Sequence, residues 1–117
     1  MVWIEVNEEC RFVRLRILVQ ATIPNAARGA VAEAVARGNF GLLHGTLELD
    51  INDGELRYRD ALLVADGTLG PDAVRMLLFG GLFTFDRYYP AFMRVAYGGA
   101  SPAAAIADVE TNMHREE

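Results

Sequence analysis

An α+β fold, an antiparallel sheet with helices packed on one face, follows from three features of this chain. From Leu42 to Val64 apolar and polar residues alternate through a turn and out again. Strand side chains alternate faces with period two, so this stretch is a hairpin with one buried and one wet face. A second alternating run precedes it, and two stretches with helical spacing are bounded by Pro and Gly signals. The resulting order is β-β-α-β-β-α-α.

Val2 to Val6 and Arg11 to Val19 read as the first two strands, joined across Asn7-Glu8-Glu9-Cys10. In the second strand Val13, Leu15, Ile17 and Val19 face the core, and Arg14 and Arg16 face outward. Pro24 fixes a helix start, because its missing N–H costs nothing in a first turn. That helix runs to about Arg37, with Gly38-Asn39 as a left-handed stop. Its inward stripe of Ala27, Val31, Ala34 and Val35 is made of small side chains, which lets the helix lie close on a sheet.

The central hairpin follows, read with a two-residue Asp53-Gly54 turn. That turn sets Asp50 opposite Arg57, Glu48 opposite Arg59, Leu49 opposite Tyr58 and Ile51 opposite Leu56. Each opposite-charge pair adds roughly 0.2–1 kcal/mol. A one-residue slip would break both faces. A two-residue slip keeps the faces but sets Asp50 against Glu55, so the first register is the expectation.

Gly70-Pro71-Asp72 opens the second main helix, with Asp72 at its positive end. Ala73 to Phe85 is apolar nearly all round, which requires cover on more than one side. Pro90 predicts a kink or break after Tyr88-Tyr89, and Ala91 to Tyr97 continues until Gly98-Gly99. Ser101-Pro102 reads as the N-cap and first residue of a short helix around Ala103 to Val109. Residues 1–110 form a single domain, and 111–117 form a polar, frayed tail.

Composition sets the outer limits of function. A chain of 117 residues is one domain that buries roughly 65% of its unfolded surface. Its hydrophobic fraction, 52%, exceeds the ordinary range, an excess that a partner's surface commonly covers. No apolar run reaches the ~18 residues of a bilayer span, and Glu5, Glu8 and Glu9 stand where a secretory signal would be basic. The expectation is a cytoplasmic protein with no membrane partner. A net charge of -5 argues against nucleic acid, unless the Arg residues form one contiguous face. All 11 basic residues are Arg, so lysine chemistry is excluded. One cysteine permits no internal disulfide.

Reactive groups do not assemble along the sequence. Cys10 sits beside Glu8 and Glu9, which oppose the lowered pKa a nucleophilic thiol needs. His44 and Glu48, four residues apart on one strand, stand about 13 Å from each other and cannot share an ion. His114 is in the tail. Asp50 to Glu55 has a calcium-loop look, but Gly54, Glu55 and Ala61 stand where an oxygen ligand, a glycine and a bidentate Glu are required. Ser101 is explained as a cap, and the Gly80-Gly81 and Gly98-Gly99 pairs lack the context of a dinucleotide loop. The expectation is a non-enzyme with no catalytic residue, metal or cofactor.

The segment Gly41-Leu42-Leu43-His44-Gly45-Thr46-Leu47-Glu48-Leu49-Asp50, with Asp53-Gly54-Glu55-Leu56-Arg57-Tyr58-Arg59, resembles the central signature of the YbjN family. Tyr89-Pro90-Ala91-Phe92 to Val95, then Tyr97-Gly98-Gly99-Ala100-Ser101-Pro102, is similar to that family's end. The resemblance covers about Val6 to Glu110. It implies a bacterial sensory transduction regulator with the fold of type III secretion chaperones such as the Tir chaperone, and it supplies no catalytic residue. Members of that fold usually begin with a helix, whereas this chain begins at a strand.

Residues and resemblance together point to a non-enzymatic protein–protein interaction module, a regulator or chaperone-like adaptor acting as a homodimer. Leu77, Leu78, Phe79, Leu82 and Phe83 spread around the second helix, beyond what one sheet face can cover, and form the expected dimer or partner interface. The alternative is a small-molecule sensor or enzyme with a pocket near His44 or the aromatics Tyr88, Tyr89, Phe92 and Tyr97.

Overall fold

Residues Phe12 to Leu18 alternate between half-buried and buried, and this parity sets the core side of the sheet. The computed structural model describes residues 1–64 and 69–115, with side chains as far as Thr111. Four antiparallel strands, β1 (Val2–Asn7), β2 (Phe12–Leu18), β3 (Thr46–Leu49) and β4 (Leu56–Leu63), lie in the order β1-β2-β4-β3. A 3-10 turn at Asn25–Ala27 leads into α1 (Arg28–Asn39), and α2 (Pro71–Tyr97) and α3 (Pro102–Arg115) follow β4. The architecture is α+β in the expected order.

Val13, Leu15 and Ile17 of β2, Leu47 of β3, and Leu56 and Tyr58 of β4 give the sheet's buried face. The small stripe of α1 lies over β3, with Val31 and Ala34 fully buried. On α2, Gly81 allows close approach to the sheet, since a Cβ there would meet Leu15 Cδ2 at 2.5 Å and Tyr58 Cε1 at 2.8 Å. Tyr88, Ala91 and Phe92 extend the core beneath α3, which contributes Ala105 and Ile106. Ser101 Oγ accepts from the Ala104 N–H at 3.2 Å, so the expected cap is present.

The hairpin register differs from the expectation by two residues. Thr46 faces Arg59, Leu47 faces Tyr58, Glu48 faces Arg57 and Leu49 faces Leu56. Asp50 therefore stands opposite Glu55, and the Asp50 N–H donates to the Glu55 carbonyl at 2.9 Å. The like-charge objection fails because the Asp50 carboxylate turns into the loop and accepts from the Asn52 N–H at 2.8 Å. Asp53 likewise accepts from the Glu55 N–H, and Gly54 takes a positive φ of 81°. Both faces survive the slip, and Glu48 still binds Arg57 and Arg59. The strand begins only at Thr46, so Leu43 and His44 are exposed residues of the approach and not strand positions.

Three helix expectations also change. Gly38-Asn39 is no left-handed stop: α1 runs through both residues, and Phe40 after it still has helical angles. Gly38 is buried, with Leu47 and Tyr88 packed where a side chain would stand. Pro90 does not break α2. Its ring is exposed, while Tyr88, Ala91 and Phe92 on the opposite side are packed into the core and hold the helix through it. The last helix runs on to Arg115, past Val109, and Glu116 and Glu117 of the predicted tail lie outside the described residues.

Candidate protein-binding surface

β1 is an edge strand, and its packing is almost wholly with β2. Val2 pairs with Ile17, Ile4 with Leu15 and Val6 with Val13, so these three side chains point to the helix side of the sheet. They remain 45%, 44% and 64% exposed, because α2 lies over β2 and β4 and stops short of β1. On the other face Trp3 is 52% exposed, beside Glu5, whose carboxylate accepts from Arg14 at 2.7 Å.

The backbone of β1 completes this surface. Met1 and Leu18 exchange both backbone bonds, at 2.8 and 2.9 Å. Antiparallel pairs alternate between bonded and non-bonded, so the N–H and C=O groups of Val2, Ile4 and Val6 point away from β2, along the free edge. The same three residues thus carry the exposed side chains and the outward backbone groups.

α2 adds a second apolar strip. Phe79 and Phe83 are 60% and 62% exposed, and Met76, one turn before Phe79, is exposed with them. Arg87 lies 5.0 Å over the Phe83 ring. Of the residues expected at an interface, Leu77 faces the chain's own core, Leu78 and Leu82 are half-buried on the flank, and Phe79 and Phe83 are outside. Between this flank and β2 runs a cavity of about 180 Å³, lined by Ile17, Leu82, Phe85, Asp86 and Tyr89. Since Ile17 pairs with Val2, its floor continues onto β1.

The other candidates do not converge. Cys10 and His44 are exposed, and His114 lies beyond the described side chains. Among the described residues no group of three or more His, Cys, Asp or Glu gathers as a metal set. Tyr88 and Phe92 are core residues, whereas Tyr89 and Tyr97 are exposed. Burial, and then the Glu110 carboxylate that accepts from the Tyr88 hydroxyl at 3.1 Å, push the Tyr88 pKa up to about 12. Tyr58 is raised to about 12 in the same way, by burial and then by Asp60. A polar cleft of about 250 Å³ lies at the hairpin, between Glu48, Leu49, Asp50, Glu55 and Arg57, and His44 lines neither space.

Arginines do gather on the outer face, where Arg16 stands opposite Arg59, with Arg14 and Arg57 nearby. Carboxylates sit among them. Glu48 accepts from Arg57 at 2.8 Å and Arg59 at 3.1 Å, and Glu5 holds Arg14. Burial alone would raise the Glu48 pKa, but the bonds from Arg59 and Arg57 and their charges outweigh it and hold the carboxyl below its usual range. Three of these four arginines, Arg14, Arg57 and Arg59, are thus engaged in ion pairs.

No helix among the described residues is long and apolar enough to cross a membrane. No curated protein and no solved structure matches the chain. A family model does match it, over residues 1–94, under the description "Putative bacterial sensory transduction regulator", which names a regulator and not an enzyme. With that match running through β1, the hairpin and most of α2, the chain belongs to the YbjN family.

Proposed function

We propose that this chain is a non-enzymatic protein-interaction module, a cytoplasmic regulator or chaperone-like adaptor that acts as a homodimer. The observation that carries this reading is surface. Val2, Trp3, Ile4 and Val6 of β1 and Met76, Phe79 and Phe83 of α2 are all 44–75% exposed, apolar surface of the kind that marks a protein-interaction site. Burying large side chains of this kind is worth about 1.5–3 kcal/mol each.

The fold that the family resemblance implies supports the adaptor part of the reading as far as the sheet, since secretion chaperones hold extended partner segments on their sheet and first helix and this chain begins at a strand. A sensor or enzyme reading has less support. It needs a pocket with convergent polar groups, and the apolar cavity beside Ile17 offers one charged side chain, Asp86. Sedimentation equilibrium tests the proposal: a dimer is expected at micromolar concentration, and a monomer there would defeat it. The doubly substituted Phe79→Glu, Phe83→Glu chain should dissociate at lower dilution while keeping its secondary structure.

A further inference from the structure

We infer that β1 pairs with β1 of a second copy, antiparallel and centred on Ile4, so that two sheets join into one across a two-fold axis. The inference rests on the homodimer reading and adds to it the interface and its register. Three observations carry it. The outward backbone groups belong to Val2, Ile4 and Val6, a set symmetric about Ile4. Val2-Trp3-Ile4-Glu5-Val6 is therefore self-complementary in an antiparallel pair, as an isologous contact demands. The side chains of Val2, Ile4 and Val6, finally, are 45%, 44% and 64% exposed beside those groups, apolar surface that a second copy seated on the strand would cover.

The register follows from the charges. The bonded pairs must come from Val2, Ile4 and Val6, and three registers give more than one such pair. Centred on Ile4, Val2 faces Val6 of the second copy and Ile4 faces Ile4, each pair exchanging both backbone bonds. Trp3 then faces Glu5, and each Glu5 keeps its own Arg14. A shift one way sets Glu5 directly against Glu5, which is unfavourable. A shift the other way sets Trp3 against Trp3 and leaves the Val6 groups unpaired. At the far side of the sheet the outward groups of Leu47 are already taken, because Asn39 binds both of them at 2.8 Å.

Two experiments on the full chain test this. Proline is tolerated on an edge strand where the lost N–H faces outward, so Ile4→Pro should fold with an unchanged circular dichroism spectrum. Each copy loses its central donor, and the dimer dissociation constant should rise about thirtyfold or more. The second experiment mixes Cys10→Ser, Trp3→Cys with Cys10→Ser, Glu5→Cys under mild oxidation. Opposed non-bonded positions stand about 4.5 Å apart at Cα, within disulfide reach. Cross-linked heterodimers should dominate over either homodimer. Homodimeric Glu5→Cys or Trp3→Cys cross-links in their place would overturn the register. A dimer that survives Ile4→Pro but dissociates with Phe83→Glu would overturn the strand pairing and leave the homodimer reading standing. A wild-type monomer would defeat both.

Discussion

The two edges of this sheet are finished in opposite ways. β3 is four residues long, lies under α1, and has its outward Leu47 groups bonded by the Asn39 side chain, N–H to Oδ1 and Nδ2–H to carbonyl. The Asn39 amide does for β3 what one residue of a fifth strand would do. β1 is six residues long, lacks proline and lysine, and has no helix above it. Natural sheets blunt free edges by such devices. The Leu47 groups of β3 are thus closed to a further strand, whereas the outward groups of Val2, Ile4 and Val6 on β1 are open.

The largest expected effect lies on the closed side, where Gly45 enters β3. Gly45 has a φ of 75°, and a Cβ there would overlap the Tyr58 ring. Gly45→Ala adds backbone strain to overpacking and should cost about 2–5 kcal/mol, read as a lower urea midpoint. Asn39→Ala comes next. It strips two half-buried backbone groups of their partner, with an expected loss of about 1–3 kcal/mol. If β1 is the functional edge, this variant should also self-associate beyond a dimer, because the second edge is now open.

Alkali should weaken the closed side in a third way. Tyr58 and Tyr88 have folded pKa values raised from 10.0 to about 12. Their contribution to stability is complete below about pH 10 and is lost as pH rises through about 12, because the unfolded chain ionises first. Glu48 behaves oppositely: its lowered pKa gives stability above the ordinary carboxylate range that is lost as pH falls through the folded value. Denaturant midpoints measured across pH should therefore decline at both ends. The smallest effect belongs to β1. Val6→Thr, measured at a dilution where the chain is monomeric, should shift stability by less than about 0.5 kcal/mol. A large shift would mean that β1 is already tied down within one chain, and the contrast between the edges would collapse.

The faces of the strands were legible in the residues, and their alignment was not. Alternation of Leu47, Leu49, Leu56 and Tyr58 survives a two-residue slip unchanged, so apolar pattern alone could not choose. The choice lay with Asp50, whose carboxylate bonds its own loop, a local geometry that charge counting across the ladder overlooks. The apolar girth of α2 was legible too, but not which side stayed open. Gly81 decides that, since it turns one flank of the helix onto Leu15 and Tyr58 and sends Phe79 and Phe83 outward. β1 was the least legible part of the site. Its exposure depends on where α2 ends its cover, a tertiary fact that no window of sequence contains. Asn39 was misread for a related reason, because its partner Leu47 belongs to another element.

The Asn39 clasp also changes what an exchange experiment would report. In an ordinary edge strand an outward amide such as that of Leu47 would trade its proton with solvent quickly. Here that proton is held by a side chain from the last turn of α1, so deuterium can enter only when the helix end lifts away. The Leu47 amide is thus a clock for helix docking that happens to sit in a strand.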